Sequence, residues 1–326
     1  MKVAVIGCSI NGAYLAYKLA NGGHDVTVFE RKEKSGGKAC SGLVSERIWS
    51  RIPQNDKILE NVVNSVKIAF PKKTTEVVFK PKMLALNRGE LDSYVAKLAK
   101  EAGAEIKYGH SFLGLEFNGT AKVTTEHKRT RNVEDFDFVV GSDGSVSAVR
   151  KFVTQNEPKF RLGMYSYNRE DSDQDWADVW STNYGFFWRI PRGDHSEYGI
   201  IEKPEIARKG FNDFAANRGL DTKKVFSAII PEGLCLSGNG KVALCGDAAG
   251  LTKPHSGGGI LWGFVAADLL VKNNLNVAKY NVALKRKFGT KLYGLSILTK
   301  FVNIFGNSMP FLMPKRIGFD NDWAFF

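Results

Sequence analysis

Apolar residues recur along this chain at two spacings, and the points where one gives way to the other outline its elements. Residues 2–6 (KVAVI) are an unbroken, β-branched run, which predicts a buried strand. Gly7 to Gly12 form a tight turn, and AYLAYKLANGG continues as a helix closed by Gly22 and Gly23. DVTVFE (25–30) is a second strand, so the first thirty residues make a βαβ unit. Alternation in VKIAF and EVVFK predicts a pair of antiparallel strands. GELDSYVAKLAKEAGAE has helical spacing at Leu91, Val95, Leu98 and Ala102, and Gly103 ends it. Strand-like EIKYG, LGLEF and KVTTE come next, and then DFDFVVGSDG, where a strand runs into a turn. From about 156 to 232 the pattern is β-rich and aromatic. KVALCGDAAG (241–250) returns to a strand followed by glycine, and ILWGFVAADLLVKN reads as a buried helix. Beyond about 279 the chain reads as helical and then irregular, broken by Pro310 and Pro314.

This interleaving predicts an α/β chain, α+β overall: a Rossmann-like nucleotide domain assembled from separated segments, with an antiparallel sheet inserted. The expected division is 1–65, 86–155 and 234–285 for the nucleotide domain, and 66–85 and 156–233 for a β-rich substrate domain. Residues 286–326 form a short helical and irregular C-terminal segment.

Composition narrows the function classes. With 43% hydrophobic and 25% charged residues, the 326-residue chain has the make-up of a globular protein, not of a disordered or collagen-like one. Its 46 Lys and Arg against 34 Asp and Glu leave a net charge of +12. That excess suits a phosphorylated substrate, an acidic protein or a charged membrane surface, and equally a solvated basic exterior with no specific partner. No zinc-finger, RRM-like or basic-helix pattern appears, so nucleic acid is not an expected partner. Cys8, Cys40, Cys235 and Cys245 show neither CxxC spacing nor a secreted framework, which points to a reducing cytoplasm. Met1 and Lys2 lead directly into VAVIG without a signal-peptide core, and no uncharged stretch reaches the roughly 20 residues that span a bilayer. A cytoplasmic protein, soluble or peripheral on a membrane, is expected, and no metal site.

Three segments carry chemistry. In GCSING, Gly7 and Gly12 keep the outer glycines of the dinucleotide fingerprint G-x-G-x-x-G, and Ser9 replaces the middle one. Glycines here let backbone N–H groups approach a pyrophosphate at a helix N-terminus, with Asn11 in the same turn. Glu30, 18 residues after Gly12, ends the second strand, where a carboxylate accepts both hydroxyls of an adenosine ribose and disfavours a 2′-phosphate. In DFDFVVGSDGSVSAVRKFV (135–153), a strand delivers Asp143 and Gly144 to a turn before a helix carrying Arg150. In KVALCGDAAGLTKPHSGGGI (241–260), Gly246 and Asp247 come after a strand, and Gly257, Gly258, Gly259 and Ile260 open a helix.

The last two segments resemble the DG and GD motifs of FAD-dependent hydroxylases and their relatives. The resemblance implies FAD as cofactor, with Asp247 on the ribityl chain, the helix after it aimed at the flavin, and Arg88 at a further cofactor contact. Two further stretches resemble the geranylgeranyl reductase family: GGKACSGLVS (36–45), similar to that family's cysteine-containing loop, and YGFFWRIPRGDHSEYGI (184–200), similar to its aromatic signature. The resemblance covers most of residues 1–275 and implies that Arg31, Lys38, Ala39 and Cys40 lie by the flavin. It departs at Ser9, at Ile190 and in a reduced C-terminal region.

The same resemblance implies saturation of prenyl C=C bonds by hydride from reduced flavin plus a proton. Aromatic rings of Tyr184, Phe186, Phe187 and Trp188 would stabilise the positive charge that develops, although any one of them could equally fill the core. Cys40 and His255 are candidate proton donors, with a plain pocket or loop role as the alternative. Cys40, Tyr184, Trp188 and His255 are the catalytic candidates, and Phe186, Phe187 and Trp188 the substrate contacts. The implied partners are a prenylated lipid or prenyl phosphate, an electron donor (NAD(P)H or a ferredoxin) and a peripheral membrane contact through LYGLSILTKFVNIF and MPFLMP, which core packing would serve equally well. A flavin monooxygenase or halogenase, to whose W-x-W-x-I-P signature FFWRIP comes close, and a non-catalytic FAD-retaining isoprenoid binder are the alternatives.

Overall fold

The computed structural model describes residues 1–182 and 184–322. In chain order the first part holds β1 (Lys2–Ile6), α1 (Ile10–Asn21), β2 (Asp25–Glu30), β3 (Leu43–Ser45), β4 (Leu59–Phe70), β5 (Lys73–Leu86) and α2 (Arg88–Glu101). Next come β6 (Glu105–Tyr108), β7 (Ser111–Asn118), β8 (Thr120–His127), β9 (Thr130–Phe136), β10 (Phe138–Gly141) and α3 (Ala148–Val153). The middle contains β11 (Lys159–Ser172), β12 (Trp176–Ser181), β13 (Phe186–Pro191), β14 (Gly193–Glu202), α4 (Pro204–Arg218) and β15 (Phe226–Glu232). The chain closes with β16 (Val242–Leu244), α5 (Ile260–Lys272), α6 (Val277–Leu284), α7 (Thr290–Ser308) and β17 (Arg316–Phe319).

A parallel sheet runs in the order β16-β10-β1-β2-β6. Strands β1, β10 and β16 read as continuous apolar runs because both faces are covered, and Val3, Ala4, Val5, Val139 and Val140 are fully buried. Three distant stretches, at 2–6, 138–141 and 242–244, lie side by side in it, the last at one edge, and bring their turns to the same end of the strands. A doubly wound sheet places its ligand crevice at such strand ends. The α/β class expected from the pattern is the one observed.

The second sheet has nine strands, β15-β11-β14-β13-β12-β4-β5-β17, with β3 added on β5. VKIAF and EVVFK lie within the β4–β5 hairpin, Val66 opposite Val77. β7, β8 and β9 form a separate antiparallel meander.

Two elements depart from the sequence pattern. Helix α4 interrupts the stretch read as β-rich. Pro204 sits at its first position, Ala207, Phe211, Phe214 and Ala215 recur at helical spacing on its buried side, and Gly219 ends it in the left-handed conformation. The other is β17, in the stretch that reads as irregular. Its residues are largely exposed, and it is a strand because it pairs in parallel with β5, Ile317 opposite Val77.

Candidate functional site

The turn after β1 is closed by contact. Gly7 has a φ of +100°, and a β-carbon there would lie 2.5 Å from the carbonyl oxygen of Ser142. One at Gly12 would collide with the Gly7 carbonyl. Ser9 is different: its backbone is extended, at φ −75° and ψ 173°, which any L residue adopts, so serine is tolerated where the fingerprint has glycine. Its hydroxyl accepts from Arg88 Nη2 at 3.3 Å and does not cap α1. The first-turn N–H groups of α1 thus have no side-chain cap, and the first turn itself carries no acidic residue, an arrangement that favours a phosphate.

Glu30 is buried beside this turn. Its Oε2 accepts from the Cys8 backbone N–H at 2.8 Å and its Oε1 from the Lys32 N–H at 3.0 Å. A carboxylate has about four acceptor positions, so two remain for ribose hydroxyls. Arg31 is exposed at the rim.

The DG and GD turns meet at the edge of the parallel sheet. Asp143 accepts from Ser147 Oγ at 2.5 Å and from the Ala148 and Val149 N–H groups at 2.7 and 3.1 Å, so its carboxylate caps α3. Burial raises its pKa, opposed by these donors. Gly144 beside it has φ +90° and open space around it. Arg150 is fully buried and donates to the carbonyls of Ser145 (2.9 Å) and Ala248 (3.1 Å), fastening one turn to the other. Asp247 Oδ2 lies 2.5 Å from Lys38 Nζ and accepts from Ser145 Oγ at 3.2 Å. Asn11 is wedged between Gly246 and Gly263, where any β-carbon would strike its amide, and its Oδ1 is buried without a partner among the described residues. Gly257, Gly258 and Gly259 line the cavity before Ile260, and α5, like α1, begins without a side-chain cap.

Across the turn, Arg88 pairs with Asp92 at 2.8 Å. Burial disfavours its charge, but Asp92 and the neighbouring Cys40 thiol outweigh that and hold its pKa above the ordinary value. Cys40 is partly buried in the loop after β2 and lines the cavity with Ala39, Cys40 packing against the core of the parallel sheet and Ala39 against that of the nine-stranded sheet. These residues fit FAD: two open helix N-termini, a turn too tight for side chains, a strand-end carboxylate with spare acceptors and an orphaned amide oxygen converge on one space.

That space is a single cavity of about 1000 Å³, the upper end of what small-ligand sites occupy. Beyond the glycine turns it continues over the face of the nine-stranded sheet, lined by Val66, Val77, Phe79, Val179, Phe186 and Trp188, and α7 closes it with Leu295 and Val302. The aromatic stretch divides across β13 by strand alternation. Phe186 and Trp188 face the cavity. Phe187 faces away and stacks on Phe214 of α4 at 4.2 Å. Tyr184 lies outside the cavity, exposed, with the Lys203 ammonium 3.5 Å over its ring. The predicted four-ring cluster is therefore a pair.

Trp188 is fixed from behind. Its Nε1 donates to Glu197 Oε1 at 2.8 Å, and Glu197, with no exposed surface, accepts from Arg192 Nη2 at 3.0 Å. Arg192 also donates to Glu60 and to the carbonyl of Ser41, next to Cys40. Burial raises the pKa of Glu197, and Arg192 and the indole N–H pull it down only in part. No sequence signal points to this network, because Arg192 and Glu197 carry no motif of their own.

His255 is held by the C-terminal segment. Its Nε2 lies 2.8 Å from Asn321 Oδ1, so this nitrogen carries the proton, and Nδ1 is buried without a partner among the described residues. Burial, then the Lys253 charge, lowers its pKa to about 4, leaving a neutral imidazole at physiological pH. Lys253 pairs with buried Asp322 at 2.9 Å and Arg47 with Asp320 at 2.7 Å. No group of three or more His, Cys, Asp or Glu able to hold a metal ion occurs among the described residues.

Residues 5–49 match the family model described as an NAD(P)-binding Rossmann-like domain. A geranylgeranyl diphosphate reductase of Oryza sativa is 26% identical over 317 residues, covering 85% of this chain and 67% of the relative. A digeranylgeranylglycerophospholipid reductase of Methanocaldococcus jannaschii is 24% identical, covering 79% of this chain and 72% of that one. Kynurenine 3-monooxygenase of Christiangramia forsetii is 27% identical, but over 50% of this chain and 40% of the relative. Among solved structures, a geranylgeranyl bacteriochlorophyll reductase-like protein of Thermoplasma acidophilum superposes with a TM-score of 0.81 at 19% identity, over 93% of this chain and 87% of that one. The flavin-dependent halogenase CmlS gives 0.72 at 17% identity, over 99% and 69%. The halogenase likeness is one of fold. Over most of its length the chain is similar in sequence to the two geranylgeranyl-chain reductases, and its likeness to the Thermoplasma acidophilum protein is likewise one of fold.

Proposed function

We propose that the chain holds FAD and saturates isolated C=C bonds of a geranylgeranyl chain carried by a lipid or a phosphate. The observation that carries this reading is the continuity of the glycine-turn cradle with an apolar arm in one cavity, Phe186 and Trp188 standing at the arm. When bound, FAD in its reduced form supplies hydride to one carbon of the double bond. Gly7, Ser9, Asn11, Gly12 and Glu30 would hold its adenosine diphosphate half, with Arg31 at the rim. Lys38, Arg88, Asp247 and Gly257–Ile260 would surround the rest, and Asp143 and Gly144 would shape the turn between them.

An isolated alkene has no carbonyl to polarise, so the proton would add to one carbon ahead of the hydride, and positive charge would grow on the other carbon until hydride reaches it. The faces of Trp188 and Phe186 stabilise that charge, and the apolar walls keep water from screening it. Arg192 and Glu197 hold the indole in place. Cys40 Sγ, at the junction of cradle and arm, is the proton-holding atom in this reading. His255 as a neutral imidazole keeps the C-terminal strand against the cavity, which supports a positioning role. The nucleotide domain (1–65, 86–155, 234–285) and the β-rich unit (66–85, 156–233) thus share one site between cofactor and chain. The electron donor, NAD(P)H or a ferredoxin, would act transiently, and a peripheral membrane contact would supply the lipid.

The test is to reduce the holoprotein without oxygen and add a geranylgeranyl lipid. The reading expects the flavin to reoxidise and the lipid to gain one H2 per double bond, measured by mass spectrometry. Reoxidation only when oxygen is admitted would overturn it in favour of a monooxygenase.

A further inference from the structure

Helix α7 has two apolar sides, and the fold uses only one. Leu295, Thr299 and Val302 face inward and line the cavity. On the other side Tyr293, Ile297, Phe301 and Ile304, spaced by four, four and three, form a ridge whose members are 50% to 73% exposed. The ridge continues past the helix in exposed Met309, Phe311 and Leu312. Leu298 belongs to both sides: it lines the cavity and is exposed, so the cavity reaches the surface beside the ridge. Large contiguous apolar surface of this kind marks a binding face. No helix among the described residues is long and apolar enough to cross a membrane.

The charge along this stretch of chain is one-sided, although Arg316 pairs with Glu76 of β5 at 3.2 Å. Between Asp268 and Asp320 the chain has nine Lys and Arg and no Asp or Glu. Lys300 stands among the ridge residues, and Lys315 and Arg316 come after them. Lys272, Lys279, Arg286 and Lys287 line a separate groove on the same stretch.

We propose that α7 is the element by which this protein docks on an anionic bilayer, its ridge entering the headgroup layer while its inner side walls the lipid-binding cavity. The proposal rests on the prenyl-lipid reading for the purpose of docking, but not for its evidence. A second copy of the chain would set like charges against each other across a two-fold contact. An acidic protein would pair with the lysines but leave a protruding row of tyrosine, isoleucine and phenylalanine unused. A bilayer takes both, the apolar ridge below the phosphates and the cations at their level. A prenyl chain could then pass beside Leu298 without crossing water.

The experiment is co-sedimentation of the holoprotein with vesicles of phosphatidylcholine, with and without phosphatidylglycerol. The variants are Ile297→Ser/Phe301→Ser/Phe311→Ser and Lys300→Glu/Lys315→Glu; none of these side chains lines the cavity. The wild type should sediment with the mixed vesicles at low salt and release as salt rises. The serine variant should bind roughly tenfold or more weakly, and the glutamate variant should lose its preference for phosphatidylglycerol. Flavin content and thermal unfolding should stay at wild-type values in both. No sedimentation of the wild type, equal binding by the serine variant, or equal binding to pure phosphatidylcholine would each overturn the proposal. A detergent-dispersed short prenyl alcohol separates the two ideas. If the reductase reading fails, it goes unreduced while vesicle binding still reads; if docking fails alone, it is reduced and vesicles are not bound.

Discussion

Replacing Arg192 by methionine tests the network behind Trp188. Arg192 is almost wholly buried, and Glu197 has no exposed surface. The substitution keeps much of the side-chain volume but leaves the Glu197 carboxylate in the interior with a single donor, the indole N–H at 2.8 Å. Breaking a buried pair in this way costs about 3–5 kcal/mol, a large share of a typical folding free energy. The carboxyl limits the damage by taking up a proton, which fixes the sign of the pH effect. Burial already raises its pKa, and loss of Arg192 raises it further. The folded variant then holds a proton that the unfolded chain releases above the ordinary carboxyl range. Its stability is greatest at low pH and falls as pH rises towards the raised pKa, by at most about 1.4 kcal/mol per unit. Urea unfolding followed by tryptophan fluorescence at pH 5 and pH 8 should show a larger drop between the two in Arg192→Met than in the wild type. Adding Glu197→Gln removes the stranded charge and should recover about 2 kcal/mol or more at pH 8. The Ser41 carbonyl also loses its donor, so a thiol reagent should modify Cys40 faster, the other three cysteines being buried. A cost below about 1 kcal/mol, or a double variant no more stable than the single one, would refute the reasoning.

Glu30→Ala removes the acceptor of the Cys8 and Lys32 N–H groups together with the proposed ribose contact. Flavin affinity, measured by titration of the apoprotein, should fall roughly tenfold or more. Gly12→Ala drives a β-carbon into the Gly7 carbonyl and should yield protein without bound flavin, read from the absorbance ratio of purified material. His255 stays neutral in the folded protein down to about pH 4, while in the unfolded chain it gains a proton near pH 6.5. The unfolded state therefore binds more protons between these values, stability drops as pH falls through that window, and His255→Gln should flatten the drop in urea unfolding curves. Val179→Trp fills the apolar arm, and product analysis should show loss of reduction of a geranylgeranyl chain with that of a short prenyl alcohol retained.

Much of the cradle is legible from sequence because its parts are local. The β-branched run before Gly7, the glycine turn and Glu30 lie within thirty residues, and each dictates its own backbone. The GD turn and the glycines before α5 obey the same logic. Alternation along FFWRIP already contains the division of Phe186 and Trp188 from Phe187, and the helical spacing of Ala207, Phe211, Phe214 and Ala215 contains α4. Tyr184 groups with the cavity rings only by proximity in sequence, because it precedes the strand that orients them.

Other features depend on contacts between distant segments. Residues 316–319 are too short a run to predict a strand and become one only against β5. Their pairing brings Asp320 to Arg47, Asn321 to His255 and Asp322 to Lys253. Arg192 reaches Glu60 and Ser41 from the turn between β13 and β14, more than a hundred residues away. The inner and outer sides of α7 are both apolar in sequence, and packing alone decided which became cavity wall and which remained surface. Local sequence determines where the backbone turns and which glycines it needs, because sterics and hydrogen bonding act over a few residues. Burial and charge pairing depend on what the fold places opposite a side chain, and for the network behind Trp188, the neutral His255 and the exposed ridge of α7 only the tertiary structure decided it.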